Sequence, residues 1–167
     1  RLLKGMEKTK WDRITVGIFR SDNGGATRVT IKVPRRRGKC TSYEGGIGVP
    51  MLVSWPGVVR ADSVCDQVIH ASLDLYPTLL DVAGGQEKKG QVLDGKNIMP
   101  LLKENGTVDR EAIFWHVPHY IAQPGNHFRV TPHSAVRKGD FKLIEFFHDY
   151  YEYDEHARTA IRNASKD

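Results

Sequence analysis

Residues 14–25, with the sequence ITVGIFRSDNGG, carry the pattern that decides the fold class of this chain. The first six positions are β-branched or apolar apart from one glycine, which is typical of a buried strand. The polar end with its two glycines predicts that this strand runs directly into a tight turn. A short buried strand of this kind is expected in a sheet that is covered by helices.

Further elements follow along the chain. Residues 49–55 form a second apolar run, closed by Pro56 and Gly57, and predict another strand. Residues 72–84 predict a helix, because apolar side chains recur at helical spacing and a glycine pair follows the last of them. Strands that alternate with helices predict an α/β fold with a mixed, mainly parallel sheet and flanking helices.

The last third of the chain predicts a separate, smaller subdomain. Residues 135–147 alternate around a Lys138-Gly139-Asp140 turn, which is typical of a hairpin. We therefore place the α/β part at residues 1–105 and a small antiparallel α+β subdomain at residues 106–167. The polar tail from Glu155 onward is expected to be helical or frayed.

The composition excludes some classes of protein and leaves others open. The 167 residues are 40% apolar and 27% charged, with a formal charge of +5, which is a globular composition. No apolar run approaches the roughly 20 residues of a membrane span. The two cysteines, Cys40 and Cys65, do not make a disulfide framework, and their redox state stays open.

Two oxygen-bearing side chains, Asp22 and Asn23, follow the first predicted strand directly. Ligands of open parallel sheets bind beyond the carboxyl ends of the strands. Carboxylate and amide oxygens are hard donors that suit calcium or magnesium. Taken alone, however, these residues are also typical of a plain Asp-Asn-Gly turn.

A basic loop downstream supports an anion site. Residues 35–37 are three consecutive arginines, and Lys39 follows among small residues. A cluster of this kind attracts nucleic acid, acidic polysaccharide or sulfate, and charge alone does not choose between them. If Lys39 lay near Asp22 and Asn23, an anion would fit between a bound cation and the lysine ammonium.

The order and spacing of several motifs resemble the sulfatase (arylsulfatase) family of the alkaline phosphatase superfamily. The strongest are SDNGG at residues 21–25, GKCTSYEGG at 38–46, VP at 49–50 and WPG at 55–57. Further matches are DLYPTLL at 74–80, LDGK at 93–96, FWHVPHY at 114–120 and RKGDFKLI at 137–144.

The resemblance implies an alkaline-phosphatase-like α/β core, a small C-terminal subdomain and hydrolysis of sulfate esters with one calcium ion. It implies that Asp22 and Asn23 are metal ligands and that Lys39 contacts the substrate sulfate in catalysis. His116 and His119 are candidate substrate-binding residues, because their segment is expected near the substrate pocket. The implied substrate is a sulfated small molecule or polysaccharide rather than nucleic acid, and the implied location is periplasmic or extracellular.

The chain also departs from the family pattern. The family nucleophile is a formylglycine made in a Cys/Ser-x-Pro-x-Arg motif, and this sequence contains no such motif. The remaining metal ligands and a catalytic histidine of the family also precede the SDNGG motif. We therefore expect a missing N-terminal half to supply them and expect the chain alone to be inactive. Cys40 stands where the family usually has glycine.

Two alternatives remain open at this level. A phosphodiesterase or phosphonate hydrolase of the same superfamily would use similar residues, because phosphate and sulfate are both tetrahedral anions. A non-catalytic module would use the basic loop only to bind polyanions, and such binding falls steeply with salt.

Overall fold

The structure is a computed structural model that describes residues 2–26, 29–30, 33–123 and 127–147. The chain forms two compact units, one from Arg1–Arg20 with Met51–Arg110 and one from Ser21–Pro50 with Glu111–Asp167. The division near residue 110 is close to the predicted boundary at 105, but the loop at residues 21–50 joins the second unit. The predicted tail from Glu155 lies outside the described residues.

The first unit contains two strands and most of the helical residues. In chain order they are α1 (Leu2–Thr9), a 3-10 helix (Trp11–Ile14), β1 (Gly17–Arg20), β2 (Met51–Ser54), α3 (Ala71–Val82) and α4 (Met99–Leu102). The helix α2 (Glu44–Ile47) belongs to the second unit. Both predicted strands and the predicted helix at residues 72–84 are present. The first strand begins later than expected because residues 11–14 coil into the 3-10 helix.

Strand pairing in the first unit is antiparallel. β1 and β2 pair from Gly17 with Ser54 to Arg20 with Met51. Parallel neighbours need a long crossover, usually a helix packed on the sheet. The described residues between β1 and β2 contain only the four-residue helix α2 (Glu44–Ile47). The α/β class is confirmed, but every strand pair among the described residues is antiparallel.

A buried carboxylate anchors α3. Asp74 is fully buried and accepts the backbone N–H groups of His70 at 2.7 Å and Lys96 at 2.8 Å. The Arg110 guanidinium binds both carboxylate oxygens. Burial opposes the ionisation of Asp74, but the hydrogen bonds from Arg110, Lys96 and His70 outweigh it, so the pKa of this carboxyl lies below its usual value.

The second unit contains the small antiparallel subdomain that the sequence predicts. Its strands are β3 (Ile113–Val117), β4 (Ile121–Gln123), β5 (His127–Val130), β6 (His133–Lys138) and β7 (Phe141–Phe146). β6 lies between β3 and β7 in one sheet, and β4 pairs with β5. The hairpin around Gly139 is confirmed, and this glycine adopts the left-handed φ of +56° that such a turn favours.

The three-stranded sheet has two different faces, because side chains alternate along each strand. One face carries Trp115, His133 and Lys142, of which His133 is buried and the other two are half-buried. The other face carries Phe114 and Leu143, which are 71% and 66% exposed. The first of these faces is the one that contacts the loop at residues 35–48.

None of the helices among the described residues has the length and apolar character needed to cross a membrane.

Candidate functional site

The turn that follows β1 presents both predicted metal ligands. The Ser21 hydroxyl donates a 2.8 Å hydrogen bond to the backbone carbonyl of Asn23, which closes the turn locally. Asp22 is exposed and Asn23 is half-buried. Within the described part of the chain, no hydrogen bond or ion pair engages the Asp22 carboxylate, so its oxygens are available to a ligand.

Glycines allow this turn to lie directly against the Tyr43–Gly46 segment. The Gly24 N–H donates to the Gly46 carbonyl at 2.7 Å. A methyl group added to Gly24 would overlap the backbone of Gly45, and one added to Gly46 would overlap the Thr41 carbonyl. The close approach of the two backbones therefore requires glycine on both sides.

Lys39 is held beside the same turn by its backbone. Its N–H donates to the Gly25 carbonyl at 3.0 Å, and its side chain is exposed. No ion pair joins Lys39 to Asp22 or to any other carboxylate of the described residues. The structure thus places the backbone of Lys39 against the turn that carries Asp22 and Asn23, and we call these three residues the corner; their opposite charges form no ion pair.

The arginine segment, residues 35–37, also contacts the Tyr43–Gly46 segment. The Gly45 N–H donates to the Arg36 carbonyl at 3.0 Å. The Arg36 guanidinium lies over the Tyr43 ring, 4.6 Å from its centroid, and Arg35 donates to the Gly48 carbonyl. Both arginines are exposed to solvent.

Buried polar side chains support the loop from the small sheet. Ser42 and His133 are 3% and 2% exposed, and the Ser42 hydroxyl lies 2.8 Å from His133 Nε2. The Lys142 ammonium contacts the Glu44 carboxylate, donates to the Ser42 carbonyl at 3.2 Å, and lies 5.1 Å from the Trp115 ring centroid. Sequence reasoning missed these contacts, because their partners are about a hundred residues apart.

The two candidate histidines lie elsewhere in the second unit. His116 is exposed on β3 and shares a 2.9 Å hydrogen bond with Ser134. It lines a shallow groove of about 360 Å³ with Phe114 and Leu143, on the sheet face opposite to Lys142. His119 is exposed beyond the end of β3. The structure does not bring either histidine into hydrogen-bond contact with Lys39, and their role in substrate binding stays a prediction.

The oxygen donors of the corner suit a hard cation, but they are fewer than such a cation needs. Asp22 and Asn23 offer one carboxylate and one amide carbonyl, whereas calcium takes six to eight oxygens. No group of three or more histidine, cysteine, aspartate or glutamate side chains that could hold a metal occurs among the described residues. A calcium ion at this corner would need further ligands beyond these two.

Comparison with known proteins identifies the family. Residues 37–160 match the family model of the C-terminal region of N-sulphoglucosamine sulphohydrolase. The chain is 38% identical over 143 residues to a sulfatase of Formosa agariphila, covering 81% of this chain and 25% of the relative. It is 36% identical over 158 residues to human arylsulfatase A, covering 90% of this chain and 29% of the relative. The chain therefore spans between a quarter and a third of these relatives.

Solved structures give the same result. The crystal structure of Ps i-CgsB in complex with k-i-k-neocarrahexaose superimposes with a TM-score of 0.71 at 26% identity, covering 99% of this chain and 39% of that one. The structure of BT4656 in complex with its substrate D-glucosamine-2-N,6-O-disulfate gives a TM-score of 0.65 at 27% identity, covering 89% of this chain and 28% of that one. These matches, together with the sequence motifs around Lys39, show that the chain belongs to the sulfatase family and corresponds to its C-terminal region.

Proposed function

We propose that this chain supplies the C-terminal part of the active site of a sulfuric ester hydrolase that acts on sulfated saccharides. In this proposal, Asp22 and Asn23 are calcium ligands and Lys39 binds the sulfate group that is cleaved. The formylglycine nucleophile and the other calcium ligands are provided by an N-terminal part of the enzyme. This chain alone would then be inactive.

One observation carries the proposal. Two backbone hydrogen bonds, from Gly24 to Gly46 and from Lys39 to Gly25, hold the oxygen donors and the lysine at one corner. The Asp22 carboxylate and the Lys39 ammonium nevertheless form no ion pair. Because these opposite charges do not neutralise each other, the carboxylate can bind a cation and the ammonium can bind an anion.

The chemistry of the corner follows from its charges. A bound calcium ion would act as a Lewis acid toward a sulfate oxygen. Asp22 and Asn23 would fix the position of that charge, on a turn that the Ser21 hydroxyl closes by its hydrogen bond to the Asn23 carbonyl. Lys39 places a point charge against a sulfate oxygen and stabilises the negative charge that develops as the ester bond breaks.

Sulfated carbohydrates are the proposed substrate class. Two structurally similar proteins were solved with ligands of this kind, a neocarrahexaose and a glucosamine disulfate. The exposed basic segment at residues 35–37 supports an anionic saccharide over a neutral ester.

The test uses the protein expressed from the complete gene, assayed on 4-nitrophenyl sulfate and on bis(4-nitrophenyl) phosphate. We expect sulfate-ester hydrolysis that is lost on chelation and restored by calcium. Asp22→Ala and Lys39→Ala should each lower kcat/KM by roughly 10²–10³-fold, the usual cost of removing one group that stabilises transition-state charge. Lys103→Ala, at an exposed position in the first unit, is the matched control.

Three outcomes would contradict the proposal. Preferential turnover of the phosphate diester would assign the corner to a phosphodiesterase. Polyanion binding that survives Asp22→Ala, without hydrolysis of either ester, would favour a non-catalytic module. Full activity of the Lys39→Ala variant would remove the lysine from the site.

A further inference from the structure

The stretch of sequence around Lys39 carries further cations to which the proposed function assigns no individual role. Every charged residue between positions 24 and 43 is cationic, namely Arg28, Lys32, Arg35, Arg36, Arg37 and Lys39. The arginine segment is exposed, as is Lys39. Only two residues separate Arg36 from Lys39, so their Cα atoms are at most about 11 Å apart. Both therefore lie within the reach of one oligosaccharide.

The backbone of the arginine segment is fixed relative to the corner. Gly45 donates to the Arg36 carbonyl at 3.0 Å, and a methyl group on Gly45 would overlap the Arg37 carbonyl. The next residue, Gly46, accepts the hydrogen bond from Gly24 of the metal-binding turn. Gly45 and Gly46 thus connect the arginine backbone to the turn at residues 21–25. A ligand that contacts both segments would find them in a fixed arrangement.

The Arg36 side chain contacts an aromatic ring of the same loop. Its guanidinium lies over the Tyr43 ring, with the guanidinium carbon 4.6 Å from the ring centroid. This geometry stabilises the cation and leaves the N–H donors at its edge able to bind oxygens. The nearest carboxylate in the sequence, Glu44, is engaged by Lys142 and lies 3.5 Å from Arg137. Its charge is therefore balanced from the small sheet rather than by Arg36.

We propose that the arginine segment is a second anion subsite, with Arg36 as its central residue. It binds a sulfate group of the substrate other than the one bound by Lys39. The substrate is therefore a saccharide with several sulfate groups rather than a monosulfated ester. This inference rests on the proposed sulfatase function, because it takes Lys39 as the site of the cleaved group.

The test compares a multiply sulfated ligand with a monosulfated one in the protein from the complete gene. The probes are a neocarrahexaose and a heparin-derived hexasaccharide, with 4-nitrophenyl sulfate as the monosulfated substrate. The variant is Arg35→Gln/Arg36→Gln. The control is Lys88→Gln/Lys89→Gln, which removes the same charge from an exposed segment of the first unit. Calorimetry gives Kd for the hexasaccharides, and the assay gives kcat and KM for the monosulfate.

We expect the arginine variant to weaken binding of at least one hexasaccharide about tenfold or more, which is 1.4 kcal/mol. Its kcat and KM for 4-nitrophenyl sulfate should stay at the wild-type values, and the lysine variant should change neither quantity. Arg36→Lys should recover part of the affinity, because it restores the charge without the planar stacking group.

Two results would overturn the subsite. The first is unchanged affinity of the arginine variant for both hexasaccharides. The second is an equal loss for the hexasaccharides and the monosulfate, which would assign the arginines to the cleaved group or to loop folding. If the wild-type protein hydrolyses no sulfate ester, the proposed function fails instead, and calorimetry still reports whether the arginines bind sulfated saccharide.

Discussion

The side chains of Ser42 and His133 share a buried hydrogen bond across 91 positions of the chain. His133 Nδ1 lies 2.7 Å from the Thr131 carbonyl oxygen, which can only accept, so Nδ1 carries the proton. In the neutral imidazole, Nε2 is then the acceptor for the Ser42 hydroxyl. This pair connects the loop that carries Lys39 to β6 of the small sheet. Its loss should therefore loosen the loop at the candidate site.

Ser42→Ala should destabilise the second unit by about 1–3 kcal/mol, because it leaves the buried His133 Nε2 without a donor. Amide hydrogen exchange of residues 41–46, followed at increasing urea concentrations, would measure the lost free energy of unfolding. Ser134→Ala is the matched control, since Ser134 bonds the exposed His116 in the same sheet. An equal effect of the two substitutions would contradict a special role for the buried pair.

Lys142→Met should loosen the same loop through a different contact. Lys142 is only 15% exposed, and its ammonium serves both the Glu44 carboxylate and the Ser42 carbonyl. Removing a charged donor of this kind costs about 1–3 kcal/mol, and we expect faster hydrogen exchange at Gly45 and Gly46, whose N–H groups are hydrogen-bonded.

Lys138→Met is the control for this prediction, because Lys138 pairs with Glu111 on the surface. Exposed ion pairs contribute little, so this variant should exchange like the wild type. Faster exchange in both variants would indicate a general effect of lost charge.

The Asp74–Arg110 pair predicts an acid limit for the first unit. The folded-state pKa of Asp74 is depressed, so its contribution is fully present above the usual carboxyl value near 4 and is lost as the pH falls through the folded value. Stability should therefore decline from about pH 4 downward. Asp74→Asn should cost about 3–5 kcal/mol at neutral pH, because Arg110 is left buried without its partner.

Chemical denaturation of the wild type and of Asp74→Asn between about pH 2 and pH 7, a range that brackets the usual carboxyl pKa values, would test this. The variant should show a flatter pH dependence. Equal slopes would indicate that other carboxyl groups set the acid limit.

Cys40→Gly should stabilise the protein. Cys40 has a φ of +75°, a conformation that costs a residue with a Cβ roughly 1–2 kcal/mol and that glycine adopts freely. Part of that gain is offset by the greater entropy of glycine in the unfolded chain, so we expect a net gain of about 0.5–1 kcal/mol. Cys65→Gly, at an exposed cysteine without a positive φ, should give no gain in urea unfolding.

The local elements were predictable because their signals are local. The apolar run before Asp22, the helix at residues 72–84 and the hairpin around Gly139 each depend on neighbours along the chain, and all three are present. The antiparallel register of β1 and β2 was not predictable. An alternation of strands and helices along the chain does not specify whether two strands pair parallel or antiparallel.

The sequence by itself determined the family, the small antiparallel subdomain and the identity of Asp22, Asn23 and Lys39 as candidate site residues. Only the tertiary structure decided that Gly46 holds the turn at residues 21–25 against the lysine loop. It also decided that His133 and Lys142 secure this loop from the small sheet. The physical reason is that these contacts join residues from 22 to 100 positions apart, and no local pattern of charge or hydrophobicity records which distant side chain will complete a buried hydrogen bond.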